Sequence, residues 1–179
     1  TQPLPTVLAV SSQTLCNQSS VAAVTFSGKV TGTVYNWTNS APGIGLAASG
    51  NGNIAAFAAS NNGTAPVVAT IQVTPVADGC TGSSKTFTIT VHPTPVVDVV
   101  EDEIVCNKAT QPAVSFHSSV SGVTYQWTND QTVIGLAASG NGNLPSFTAI
   151  NNTDEPIVAT IRVTPTANGC PGPVRSFTI

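Results

Sequence analysis

The sequence predicts an all-β chain made of two tandem copies of one small sandwich, and three observations predict it. Sliding the chain by 90 residues gives a gapless self-match, apolar residues alternate with a period of two, and turn-forming residues interrupt the pattern at short intervals.

The repeat comes first. Cys16, Trp37 and Cys80 fall on Cys106, Trp127 and Cys170. The run Ile44 to Asn53 recurs unchanged as Ile134 to Asn143, and Val73-Thr74-Pro75 recurs as Val163-Thr164-Pro165. Roughly half of the aligned positions are identical, far beyond chance for this composition. The boundary follows from the same alignment. Gln2-Pro3-Leu4-Pro5 opens the first copy, and His92-Pro93-Thr94-Pro95 stands in the equivalent place, giving domains 1–92 and 93–179. Alternating prolines fix φ and favour extended geometry, so the expected arrangement is beads on a string with a short, semi-rigid junction and a small mutual interface. Ile179 matches Ile89, after which the first copy continues through Thr90 and Val91. The expectation is therefore a second copy that stops inside its last strand. It would be continued by further repeats or completed by a neighbour's strand, with Thr6 to Val10 as a candidate donor. With no Met in the chain, the expectation is also a processed protein or a piece of a longer one.

The alternation identifies strands and their faces. In Val67 to Thr74, one face carries Val67, Ala69, Ile71 and Val73, and the other Val68, Thr70, Gln72 and Thr74. In the second copy the first face stays apolar as Ile157, Ala159, Ile161 and Val163, while Gln72 becomes Arg162 on the other. Val24 with Phe26, Tyr35 with Trp37, and Phe87 with Ile89 alternate likewise. No helical stripe of useful length appears. About seven short strands per copy, separated by Gly, Asn, Ser and Pro turns, indicate an immunoglobulin-like sandwich. Tyr35, Trp37, Tyr125 and Trp127 are its expected core anchors, each Trp worth about 3–5 kcal/mol against Ala.

Four cysteines allow three pairings. No Cys-x-x-Cys occurs and neither His92 nor His117 recurs in the other copy, which argues against zinc. Pairing within each copy, Cys16 with Cys80 and Cys106 with Cys170, would let each module fold alone and add about 4 kcal/mol. Paired cysteines imply an oxidising, extracellular setting.

Charge excludes several classes. Only 7% of residues are charged, and the net charge of −3 rests on eight acids and five scattered bases. Nucleic acid and anionic membranes both require clustered bases. Apolar runs such as Val96 to Val100 are strand-length and interrupted, so membrane insertion is not expected.

Together, Tyr-x-Trp-Thr, Ser-Gly-x-Gly-x, Val-Thr-Pro-x-Ala-x-Gly-Cys-x-Gly and the closing Phe-Thr-Ile-Thr-Val-x-Pro-x-Pro resemble the PKD-like repeats of bacterial surface proteins. The resemblance covers both copies. It departs from ordinary PKD domains in lacking Asp-Phe-Gly-Asp-Gly after the Trp, where Thr38-Asn39 and Thr128-Asn129 stand. It implies a secreted location, in arrays like those of adhesins and gliding-associated proteins exported by the type IX route.

No candidate catalytic, cofactor or metal site emerges. The histidines are unrepeated and read as solvated, His92 in the linker and His117 in place of Ser27. Asp98, Glu101, Asp102 and Glu103 offer oxygen ligands for calcium, but Leu8, Ser11, Ser12 and Gln13 replace them in the first copy, so a solvated edge is the simpler reading. Ser49 to Asn53 could cradle an anion or sugar on its N–H groups, yet a tight hairpin with positive φ explains its glycines. The triplets beginning at Asn17, Asn36, Asn62 and Asn151 fit glycosylation by accident of composition. The expected function is a non-catalytic structural module of a bacterial surface fibre, filament or adhesin stalk, whose partners are neighbouring copies of the module. The alternative is an adhesin module whose loops bind glycans or a host protein. A binding array would repeat exposed polar or aromatic residues, and the best-matched exposed stretch has no exposed aromatic or charged residue.

Overall fold

Alternation along one long strand supplies the spine of the first copy. In Val67–Ala77, residues Ala69, Ile71 and Val73 are buried while Thr70 and Gln72 face out, because successive side chains of a strand point to opposite faces. The computed structural model describes all residues 1–179, and the chain divides into two compact units, Thr1–Pro93 and Thr94–Ile179.

The first unit contains β1 (Gln13–Cys16), β2 (Ser20–Val21), β3 (Val34–Asn39), β4 (Ser49–Asn51), β5 (Phe57–Ala58), β6 (Val67–Ala77), β7 (Cys80–Thr81) and β8 (Lys85–His92). The larger sheet runs β1-β8-β6-β3-β4, with β7 hairpinned onto the end of β6. Only the β1–β8 pair is parallel, in the register Gln13 to Ile89 through Cys16 to His92. The facing sheet is small: β2 with β5, extended by the single bridge Val24–Ile54. Val21, Ile44, Ile54, Ile71, Ile89 and Val91 meet between the sheets, each stabilising the fold by about 1.5–3 kcal/mol on burial.

The second unit contains β9 (Thr110–Gln111), β10 (Thr124–Asn129), β11 (Ser139–Asn141), β12 (Phe147–Thr148), β13 (Thr160–Ala167), β14 (Cys170–Pro171) and β15 (Arg175–Thr178). Its large sheet places β10 between β11 and β13, with β14 and β15 both on β13, and β12 pairs with β9 opposite. Its core gathers Trp127, Ile134, Leu144, Ile161, Val163 and Phe177.

Buried asparagines pin the connection between neighbouring strands of the large sheet, β3 to β4 and β10 to β11. The Asn39 amide donates to the carbonyls of Leu46 (3.0 Å) and Ala47 (3.3 Å), while its Oδ1 accepts the Ala41 N–H (2.9 Å). Asn129 repeats this on Leu136, Ala137 and Gln131. Buried polar groups persist when satisfied in this way.

Two sequence expectations are corrected here. Val24 to Phe26 forms one isolated bridge rather than a strand, although Phe26 is buried against Tyr35 and Phe87 with ring centroids 5.8 and 6.5 Å away. Thr6 to Val10 is not a free donor. Val7 lies in its own unit's core, and the Leu8 N–H donates to the Ser27 carbonyl at 2.9 Å.

Candidate functional site

The cysteines overturn the within-copy pairing. Cys80 and Cys106 are free thiols, whereas Cys16 and Cys170 are disulfide-bonded. The reason is geometric. Cys16 ends β1 opposite His92, beside Val91, which faces Val67 at the start of β6. Cys80 opens β7 opposite Ala77 at the far end of β6. Ten residues of strand separate these positions by about 33 Å, and a disulfide needs Cα atoms within about 7 Å. The second unit has the same layout: Cys170 faces Ala167 at one end of β13, and Thr178, whose carbonyl accepts the Glu103 N–H, faces Thr160 at the other.

The aromatic anchors lie where the alternation placed them. Tyr35, Trp37 and Trp127 are buried, and Tyr125 is half-buried in the second core. The identical run beside them serves the core. Ser49 pairs with Thr38 and Asn51 with Asn36, and Gly50 lies under the Trp37 indole so closely that a Cβ there would overlap the ring. Gly52 has φ +70°, and the Asn53 Oδ1 accepts the Phe26 N–H at 2.9 Å. Gly140, Gly142 and Asn143 repeat all three roles. Only the second glycine of the motif needs positive φ; the first is required by contact with the indole.

His92 is not a linker residue. It ends β8, half-buried, with a buried Nδ1 that has no hydrogen-bond partner. Of the acidic cluster, Asp102 Oδ1 accepts the Thr178 N–H at 2.6 Å, the role that Ser12 Oγ performs for Thr88 at 3.0 Å. No three His, Cys, Asp or Glu side chains converge to hold a metal ion, and no helix is long and apolar enough to cross a membrane.

Sequence reasoning missed the site with the most developed geometry, an apolar groove of about 490 Å³ in the second unit. Glu103, Val105, Phe147, Asn151, Ile157 and Ile179 line it. In the first unit the equivalent space is filled by Thr90, Val91 and His92. Val91 is fully buried and paired with both Leu15 and Val67. The Asn61 amide donates to the Val91 carbonyl at 2.7 Å, and the Asn17 N–H to the His92 carbonyl at 2.8 Å. Asn151 and Asn107 occupy the matching positions around the groove. Their exact recurrence, Asn17 on Asn107 and Asn61 on Asn151, is the signal available in the sequence.

Residues 13–95 match the family model described as "PKD-like domain". No curated protein matches the chain. Among solved structures, "Crystal structure of DIP-gamma IG1+IG2" is 8% identical with a TM-score of 0.60, covering 98% of this chain and 96% of that one. Chicken CNTN1 FN1-FN3 domains (14% identical, TM-score 0.33, covering 95% and 66%) and mouse Cadherin-23 EC22-24 (9%, 0.38, 98% and 63%) also match. The likeness to the DIP-gamma structure, at this identity, concerns the fold alone. Residues 13–95 thus form a PKD-like domain, in a chain of immunoglobulin-like architecture.

Proposed function

We propose that the chain is a non-catalytic, extracellular structural module of a bacterial surface fibre, filament or adhesin stalk. The observation that carries this reading is how the ten-residue identical run is used. Ile44 fills the core, Gly50 seats the indole, and Asn53 caps a backbone N–H, so the strongest identity between copies maintains the sandwich. A PKD-like, immunoglobulin-like domain with disulfide-bonded cysteines is compatible with an oxidising, extracellular setting.

The test is immunogold labelling of native cells with antibody to this chain, followed by deletion of one repeat from the parent protein. The expected result is label along surface appendages, which shorten by one module and keep their adhesion. Loss of binding to glycans or a host surface at unchanged export would favour the adhesin alternative and end the spacer reading.

A further inference from the structure

We propose that the turn Asn168-Gly169 is a site of spontaneous covalent modification, a succinimide-forming pair at which the asparagine converts to aspartate and isoaspartate. The chemistry needs only a neighbouring backbone nitrogen and water. The Gly169 nitrogen gives up its proton and attacks the side-chain carbonyl carbon of Asn168. The bond from that carbon to the amide nitrogen breaks, and ammonia leaves with the proton, closing a cyclic imide. Water then opens the imide at one of its two carbonyls. Attack at Cγ restores the backbone and leaves aspartate. Attack at the main-chain carbonyl leaves isoaspartate, with the backbone routed through Cβ. Nothing is oxidised or reduced. Glycine in the following place offers its nitrogen with no Cβ to shield it, and asparagine is among the residues that age chemically in this way.

Four Asn-Gly pairs occur, at Asn51, Asn62, Asn141 and Asn168, and all four asparagines are exposed. What separates them is the glycine nitrogen. Gly52 and Gly142 donate their N–H to the carbonyls of Tyr35 and Tyr125, each at 2.9 Å, and Gly63 donates to Asn61 Oδ1 at 3.0 Å. A bonded N–H must leave its acceptor before the nitrogen can turn toward Cγ, and that exchange costs the bond. The Gly169 N–H has no acceptor. The cause is the hairpin. β13 and β14 close on the rung Ala167–Cys170, and both central residues have positive φ, Asn168 at +51° and Gly169 at +76°. In such a two-residue turn the ladder bonds belong to the flanking residues, so the glycine nitrogen faces water. β14 is itself only two residues long, and opening the turn costs the unit that short strand rather than its core.

The first copy shows that one product fits. Asp78 stands at the repeat position of Asn168, at φ +48°, followed by Gly79 at +76°, in a hairpin closed by Ala77 and Cys80. Aspartate at 168 therefore reproduces a turn that this fold already uses, and it adds a negative charge to the surface. Isoaspartate instead adds a backbone atom to a two-residue turn, so the Ala167–Cys170 rung cannot keep its register. The modification has two separable results, a structurally silent change of charge and a loosening of the β13–β14 hairpin.

The test incubates the whole chain at mildly alkaline pH, folded and, in parallel, unfolded in guanidinium chloride. Peptide mass spectrometry follows the amide-to-acid mass increase at each asparagine, and an isoaspartyl methyltransferase assay counts the second product. In the folded chain Asn168 should convert faster than Asn51, Asn62 and Asn141 by about tenfold or more. In denaturant, where no glycine N–H keeps its acceptor, the four rates should converge. Asn168→Asp should keep the denaturation midpoint of the unmodified chain, and a lowered midpoint would refute the silent product. Another pair converting as fast as Asn168 in the folded chain would overturn the proposal, as would an Asn168 that stays intact until the chain is unfolded. A rank order unchanged by denaturant would overturn it too, because sequence rather than hydrogen bonding would then set the rates.

Discussion

At the residue scale, the glycines and polar exceptions are the most informative. Gly50→Ala pushes a methyl group into the Trp37 ring, and overpacking of this kind costs about 1–3 kcal/mol. Gly52→Ala has open space but φ +70°, which costs about 1 kcal/mol. Urea denaturation of the two variants should rank them in that order. Gln111 is a different exception, buried where the first copy has the fully buried Val21, with its amide donating to the Pro112 carbonyl at a long 3.5 Å. Gln111→Val removes a poorly satisfied polar group from the core, and the midpoint should rise by the equivalent of about 1 kcal/mol. Asp130 supplies a pH dependence. The hydrogen bond from the Thr160 N–H, 2.7 Å from Oδ1, holds its carboxyl below the usual value, with help from Arg162. A depressed folded pKa contributes stability above the unfolded value, near 3.9, which is lost as pH falls through the folded one. The protection factor of the Thr160 amide, its exchange relative to the unprotected rate at the same pH, should therefore fall in acid. Asp130→Ser, which installs the counterpart of Ser40 on Thr70, should remove that pH dependence.

At the scale of elements, the strands and their faces were legible because period-two alternation is local. The inward face of β6 and the positions of Trp37 and Trp127 follow from side-chain order alone. The cysteine partners were not legible. Spacing gives the length of a loop, but which end of β6 each cysteine reaches depends on the β1–β8 register, a long-range property. The groove was hidden for the same reason, since residues as far apart as Glu103, Phe147 and Ile179 line it. Alkylation checks the cysteine assignment directly. In native protein, Cys106 should label fastest and Cys80 more slowly, following their exposure, with Cys16 and Cys170 labelling only after reduction.

For the whole molecule, the consequence concerns mechanical force. The first unit's opening and closing strands, β1 and β8, run parallel, so pulling its two chain ends apart slides one strand along the other. All the rungs between them then bear the tension together, instead of parting one at a time as in a peeled hairpin. The Asn17 N–H donates to the His92 carbonyl, and the two-residue period of a strand turns the Leu15 N–H toward β8 as well. Forced rupture is governed by the unfolding barrier rather than by equilibrium stability. In optical-tweezer traces, Leu15→Pro, which removes one of these rungs, should therefore lower the rupture force of the first unit. A repeat whose sheet closes in this way is a shear clamp, resisting tension along the chain with all its rungs at once.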